Sequence, residues 1–157
     1  ADERSMRHLA TTLLEVCAHM ATFAPPVVHR DINPANVVMQ ALPAGSDDGP
    51  WGTYLVDFGA AVLGGGTKTT AVGTFGFMAP ESFGQVFTPK TDLYGVGATL
   101  LFAVTGREPG TFLQERLKVK FRDALVGTVW EGDAPWLAEL IERLLAPAPE
   151  DRFSSAS

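Results

Sequence analysis

Apolar residues recur at steps of three and four over the first twenty positions of the chain. Polar and charged residues fill the intervening positions, so the pattern predicts an amphipathic helix with one buried face. Pro25 and Pro26 follow, and we expect them to stop the helix because proline lacks the N–H that continues it. The apolar positions are Met6, Ala10, Leu13, Cys17 and Met20.

Two further segments have helical patterns. The segment from Asp92 to Val104 is almost wholly apolar, which predicts a central helix, buried on all sides, at about residues 92–105. Thr91 is its expected N-cap and Gly106 its expected end. The segment from Trp136 to Leu145 is amphipathic and is followed by prolines.

Strand signals are few. The β-branched pair Val37 and Val38 is separated from Tyr54, Leu55 and Val56 by a stretch rich in Gly, Pro, Ser and Asp. This arrangement predicts two short strands joined by a polar loop. The expected fold class is therefore mainly α, with one small β-hairpin.

The composition is that of one globular domain. The chain has 157 residues, of which 46% are hydrophobic, and this is enough for a sizeable core. The net charge of -6 argues against a nucleic-acid partner or an anionic membrane surface, since both require basic residues. The single cysteine, Cys17, cannot form an internal disulfide and is expected to be a small buried hydrophobe.

We expect no membrane segment. The longest apolar stretch, Gly95 to Gly106, is well short of the about 20 residues that span a bilayer. The N-terminus has no basic region followed by an apolar run, so a signal peptide is not expected and the predicted location is cytoplasmic. Because the sequence opens on Ala1, inside a helical pattern, we expect it to be a fragment of a longer protein.

Three short strings carry the candidate chemistry. Each is weak alone, since Asp and Gly are ordinary turn residues. Their ordered occurrence resembles the eukaryotic-type protein kinase superfamily, which has His-Arg-Asp with an asparagine five residues after the aspartate, then Asp-Phe-Gly, then Ala-Pro-Glu. The sequence around these strings is most similar to that of bacterial serine/threonine kinases, particularly cyanobacterial ones. The strings are His29-Arg30-Asp31-Ile32-Asn33-Pro34-Ala35-Asn36, Asp57-Phe58-Gly59 and Ala79-Pro80-Glu81.

The resemblance implies a fold and its extent. Residues 1–157 would form part of a kinase domain, its C-terminal lobe, with a catalytic loop at 29–36 and an activation segment at 57–81. The short hairpin would lie around the catalytic and metal-binding loops. The nucleotide-gripping N-terminal lobe, with its glycine-rich loop and strand lysine, is expected to be absent from this chain.

The resemblance also implies roles for individual residues. Asp31 would orient the substrate hydroxyl and accept its proton, while Asn36 and Asp57 would hold Mg²⁺ against the phosphates of ATP. Phe58 would pack against His29. Gly59 would supply the backbone freedom that a loop changing state requires.

A second group of residues would support the loop. Thr74, in Gly73-Thr74, resembles the serine/threonine-kinase threonine whose hydroxyl bonds the catalytic aspartate. Glu81 and Arg152 resemble the buried ion pair that ties the activation segment to the C-terminal helices. Asp92 matches the aspartate that hydrogen-bonds the catalytic-loop backbone.

Arg30 resembles the arginine that receives a phosphate on the activation segment. Thr67, Thr69 and Thr70 lie where such a phosphate would be added, and the charge-assisted pairing could order the loop. The alternative is that these threonines belong to a flexible loop after Gly64 and are never modified. The sequence leaves both open.

Asn33 departs from the family pattern. Serine/threonine kinases usually have lysine two residues after the catalytic aspartate, where its cation neutralises the transferring phosphate. The amide of Asn33 donates hydrogen bonds but brings no charge. We place Asn33 with Asp31 and Thr74 in the catalytic set and expect a slower chemical step.

Three functions follow from these observations. The leading hypothesis is a serine/threonine kinase that transfers the γ-phosphoryl group of Mg-ATP to a protein substrate, with the isolated fragment weak or inactive. The alternative is a pseudokinase or isolated lobe that acts as a protein-binding scaffold. A small-molecule kinase shares the His-x-Asp loop, but Gly73-Thr74 and Ala79-Pro80-Glu81 argue against it.

Overall fold

The computed structural model describes residues 2–43, 51–63, 73–128, 130 and 134–155. Three helices and four short strands lie in this part of the chain, and short 3-10 turns connect several of them. The helices are α1 (Glu3–Ala21), α2 (Pro89–Thr105) and α3 (Pro135–Leu144), and the strands are β1 (Val27–Val28), β2 (Val37–Ala41), β3 (Trp51–Leu55) and β4 (Val62–Leu63).

Helix α1 has the predicted amphipathic face. Asp2 caps its start by accepting a 2.7 Å hydrogen bond from the backbone N–H of Ser5. The helix ends at Ala21, before the predicted stop at Pro25, and the Thr22 hydroxyl donates to the His19 carbonyl. All five predicted apolar positions are buried, with Leu9 beside them.

Helix α2 is the centre of the core. Every residue from Thr91 to Leu101 is buried, while the last turn reaches solvent. The predicted N-cap at Thr91 is wrong: the helix begins after Thr88, and the Thr91 hydroxyl accepts a 3.0 Å bond from the Thr88 N–H. Pro89 fits the first helical position because its missing N–H has no intrahelical partner there. Gly106 ends the helix in a left-handed conformation, φ 66°, as predicted.

Helix α3 packs against α2 at close range. A Cβ added at Gly97 of α2 would lie 2.7 Å from Cβ of Leu144 on α3, so the two backbones can approach only because residue 97 has no side chain. Leu137, Ile141 and Leu144 of α3 are almost completely buried. The observed helix starts and ends one residue before the predicted segment.

The strands form two small antiparallel sheets. β2 pairs with β3 as the predicted hairpin, with Val37 opposite Leu55 and Ala41 opposite Trp51. β1 pairs with β4, Val28 opposite Val62, and the sequence pattern gave no sign of this pair. None of the described helices combines the length and apolar character needed to cross a bilayer.

Candidate active site

The carboxylate of Asp31 is held by donors from two parts of the chain. Its Oδ1 accepts bonds from the side-chain amide of Asn33 at 2.9 Å and from the backbone N–H and hydroxyl of Thr74, both at 3.0 Å. Its Oδ2 accepts a 3.1 Å bond from the amide of Asn36. Asp31 is only half-buried, so the carboxylate is fixed in direction yet open to solvent.

Asn33 uses both ends of its amide inside the loop. Its Nδ2 donates to the Asp31 carbonyl at 3.1 Å and lies 3.2 Å from the Thr74 hydroxyl, besides its bond to the Asp31 carboxylate. Its Oδ1 accepts a 2.9 Å bond from the Ala35 N–H and so caps the turn Pro34–Asn36. With 2% of its surface exposed, Asn33 braces the loop from within.

Asp92, on helix α2, holds the backbone of the same loop. Its two carboxylate oxygens accept bonds from the backbone N–H of His29 at 2.8 Å and of Arg30 at 2.9 Å. Burial raises the pKa of Asp92 from 3.8 to about 7, and these two N–H groups oppose that shift because they favour the charged form. The anchor holds Arg30 at φ 73°, a conformation that non-glycine residues seldom adopt.

His29 connects the loop to Phe58. Its Nε2 lies 3.1 Å from the Val56 carbonyl, and its Nδ1 accepts from the Asp31 N–H at 3.3 Å, which assigns the proton to Nε2. Burial lowers the pKa of His29. The Phe58 ring meets the imidazole edge-on at 4.7 Å between centroids, in the predicted contact, while 46% of Phe58 stays exposed.

The β2–β3 hairpin brings Asn36 next to Asp57. Asn36 directly precedes β2, and its carbonyl accepts a 2.9 Å bond from the N–H of Val56, which directly precedes Asp57. Asp57 has φ 59°, and its Oδ1 accepts a 3.1 Å bond from the Gly59 N–H. The two residues predicted to hold a metal are therefore neighbours across one ladder.

Asn36 and Asp57 suit Mg²⁺ in their chemistry. The Asn36 amide nitrogen donates to Asp31, which turns the amide oxygen away from that carboxylate, and the Asp57 carboxylate is exposed. Mg²⁺ prefers oxygen ligands and typically takes one or two protein groups, with the remaining ligands from water and phosphates. Within the described residues no cluster of three or more His, Cys, Asp or Glu is placed to hold a metal.

Glu81 and Arg152 form the predicted buried pair. The guanidinium donates to both carboxylate oxygens, at 2.6 and 2.9 Å, and the Arg152 side chain has no exposed surface. It also donates to three backbone carbonyls, at Lys90, Ala146 and Pro147. Each nitrogen of the guanidinium therefore has hydrogen-bond acceptors, and these bonds offset the free-energy cost of burying the charge.

Arg30, the residue predicted to receive a phosphate, is buried. The Arg30 guanidinium lies over the Phe87 ring, 4.4 Å from its centroid. Thr67, Thr69 and Thr70 lie outside the described residues.

Two supporting contacts were not predicted: one is made by Thr91, which the sequence had marked only as an N-cap, and one by Phe87. Besides accepting from the Thr88 N–H, the Thr91 hydroxyl donates a 3.2 Å bond to Glu81 and so links helix α2 to the buried pair. Phe87 is buried under Arg30. The threonine had a local signal, because Thr88 and Thr91 have the spacing of a capping box; Phe87 had none.

Comparisons with known proteins find similar sequences along the whole chain. The family model described as protein kinase domain matches residues 1–157. Serine/threonine-protein kinase F of Synechocystis is 30% identical over 98% of this chain, and PknA of Nostoc is 28% identical over 98%. PERK12, a proline-rich receptor-like protein kinase of Arabidopsis thaliana, is 35% identical over 77%. The matches cover 30%, 27% and 16% of those relatives, so the chain spans less than a third of their length.

Proposed function

The chain belongs to the protein kinase domain family, and on that premise we propose that it is the C-terminal lobe of a serine/threonine kinase that transfers the γ-phosphoryl group of Mg-ATP to a protein hydroxyl. The observation that carries the proposal is the fixed Asp31 carboxylate, held by donors from the catalytic loop and from Thr74. A carboxylate with that many donors has a defined direction, and defined direction is what in-line transfer requires.

Asp31 would receive the proton of the substrate hydroxyl and hold its oxygen toward the phosphate. A carboxylate within hydrogen-bond reach of the hydroxyl can do both, and phosphoryl transfer asks for little other covalent chemistry from the protein. Thr74 would act through Asp31 by fixing Oδ1.

Asn36 and Asp57 would hold the metal. Mg²⁺, when bound, would neutralise charge on the phosphate oxygens. The chain's own contribution would be the backbone bond between Asn36 and Val56, which holds Asn36 across from the residue before Asp57, and the left-handed conformation of Asp57. The remaining contacts to ATP are expected from residues outside this chain.

Replacement of Asp31 in the full-length protein tests the proposal. Asp31→Asn keeps the size of the side chain but removes the base, and we expect turnover to fall by roughly 10²- to 10⁴-fold with ATP binding retained. Asp123→Asn is the matched control, because Asp123 is exposed on the turn Arg122–Leu125. Phosphate transfer to serine peptides gives the readout, and an Asp31→Asn protein as active as the control would refute the role of Asp31.

A protein-binding scaffold is the second candidate. The observation that favours it is Asn33, whose amide is committed to Asp31, Ala35 and Thr74 and supplies no cation. Magnesium-dependent ATP binding by the full-length protein, measured by calorimetry, separates the two functions. Binding together with transfer supports the kinase, whereas no binding supports the scaffold.

A further inference from the structure

A cavity of about 380 Å³ lies between helix α1 and strand β3. Its size is typical of small-molecule sites, which run from about 300 to 1,000 Å³. None of the described residues that we place in the candidate active site lines it. The polar side chains in its wall are those of His8, Thr11, Thr12 and Glu15 on α1 and of Thr53 and Tyr54 on β3.

Two polar atoms of these lining residues lack a hydrogen-bond partner. Nε2 of His8 and Oγ1 of Thr53 are both buried, and neither has a partner in the part of the chain that the structure describes. Thr53 as a whole is only 7% exposed. An unpaired buried polar atom destabilises a fold, and native structures contain few of them. Two in the lining of one cavity therefore indicate a ligand that supplies the missing hydrogen bonds.

The remaining polar groups indicate which chemistry that ligand has. The hydroxyls of Thr11, Thr12 and Tyr54 can each donate and accept, while the Glu15 carboxylate can only accept. Glu15 is exposed and belongs to none of the ion pairs found among the described residues. A ligand that carries several hydroxyl groups matches such a wall, because each of its hydroxyls can also donate and accept.

Tyr54 adds an aromatic ring to the cavity. A Cβ at Gly52 would lie 2.9 Å from the Tyr54 hydroxyl and 3.1 Å from a carbon of its ring, so the glycine gives the ring room to lie against the strand. About half of Tyr54 remains exposed. The ring offers an apolar face beside its polar tip, which suits a ligand with C–H groups on one face and hydroxyls around its edge.

The same lining argues against charged ligands. No lysine or arginine is among the described residues that line the cavity, so a phosphorylated or carboxylated compound would meet the negative charge of Glu15 without a compensating cation. His8 and Glu15 are two metal-ligating side chains, whereas a zinc site needs at least three. No such group of three is present in the described ranges.

We propose that this cavity binds a small uncharged polyhydroxyl compound of the monosaccharide type. Its hydroxyls form hydrogen bonds with Nε2 of His8 and Oγ1 of Thr53, and its ring packs against Tyr54. Binding of this kind needs neither ATP nor a phosphoryl acceptor. The inference therefore does not depend on the proposed kinase activity, and either can fail without the other.

Ligand binding to the full-length protein tests the site. The probes are glucose, galactose, mannose, ribose and myo-inositol, compared with glucose 6-phosphate and mannose 6-phosphate, by saturation-transfer NMR and calorimetry. At least one neutral compound should bind with a Kd of about 1 mM or less, and the phosphate esters should bind at least about tenfold more weakly than the neutral hexoses. Failure of all five neutral compounds to bind overturns the inference.

Protein variants locate the binding. Thr53→Val keeps the shape of the side chain and removes its hydroxyl, and His8→Phe removes the ring nitrogens, so each should weaken binding at least about tenfold. Thr99→Val is the matched control, because Thr99 is also buried but its hydroxyl already donates a 2.8 Å bond to the Gly95 carbonyl. Affinity that is the same in Thr53→Val and His8→Phe as in the control overturns the inference.

Melting temperatures without ligand separate this site from one that is satisfied by water. Thr53→Val should raise the melting temperature, because it removes an unpaired buried hydroxyl at nearly constant volume. Thr99→Val should not raise it, since it removes a hydrogen bond that the fold already makes. A melting temperature of Thr53→Val that stays the same or falls would mean that ordered water holds the Thr53 hydroxyl, and this outcome also overturns the inference.

Discussion

The side-chain amide of Asn33 donates a 2.9 Å hydrogen bond to Oδ1 of Asp31, the oxygen that also accepts both bonds from Thr74. A lysine at this position would present a cation but no acceptor for the Ala35 N–H, which Asn33 now caps. Asn33, where the family pattern usually has lysine, therefore supplies no positive charge, but it holds the Asp31 carboxylate and the Ala35 N–H by hydrogen bonds.

Asn33→Asp tests the hydrogen bond from Asn33 to the Asp31 carboxylate. Aspartate keeps the acceptor for Ala35 but places a second negative charge beside Asp31, and two carboxylates this close resist being ionised together. We expect kcat to fall about tenfold or more and the loss of activity on acidification to begin at a higher pH. Asn33→Ala should lower kcat with little change in the pH profile. An Asn33→Asp protein with an unaltered profile would contradict the contact.

Asp92 should make folding stability depend on pH. Its folded pKa of about 7 lies above its ordinary value of 3.8, so between these pH values the folded state holds a proton that the unfolded state has lost. The contribution of Asp92 therefore declines as pH rises from about 4 to 7 and is constant above that range. His29, with its lowered pKa, works in the opposite direction.

Comparison with Asp92→Asn isolates this contribution. The free energy of unfolding of both proteins is measured by urea denaturation from pH 4 to pH 8. The difference between them should change steadily across the window, whereas His29 cancels because both proteins contain it. A difference independent of pH would mean that the anchor is ionised throughout.

The Glu81–Arg152 pair should be far costlier to break than an exposed pair. Glu81→Gln leaves a fully buried guanidinium without its counter-charge, for which we expect a loss of about 3–5 kcal/mol in the free energy of unfolding. Glu142→Gln breaks the exposed pair with Arg122 and should cost less than about 1 kcal/mol. Similar losses for the two variants, in parallel denaturation curves, would argue against a structural role for the buried pair.

Gly97 should be required for the contact between α2 and α3. Alanine at this position favours helix by about 1 kcal/mol, yet its Cβ would meet Leu144 at 2.7 Å, and overpacking costs about 1–3 kcal/mol. We expect Gly97→Ala to lower the melting temperature. Gly84→Ala is the matched control, because a Cβ there meets nothing within 4 Å, and it should leave the melting temperature unchanged or raise it.

Helices and motifs were readable from the sequence because their signals are local. The three- and four-residue steps around Leu13 follow from helix geometry, and Gly106 ends α2 for a backbone reason that any chain shares. The order of the three strings indicated the family from the sequence alone. The N-cap of α2 was wrong by three positions because Thr91 is itself a good capping residue and lies in the same box as Thr88.

Only the tertiary structure decided which distant groups meet. The pairing of Val37 with Leu55 places Asn36 beside Asp57, and the buried carboxylate of Asp92 supports a loop more than sixty residues earlier in the chain. In the sequence, Asn33 is noticeable only because it lacks the charge of the usual lysine. In the fold, it hydrogen-bonds Asp31 and Ala35, and these partners depend on which groups pack around the amide. Local patterns set the elements, whereas burial and hydrogen bonding between elements set the site.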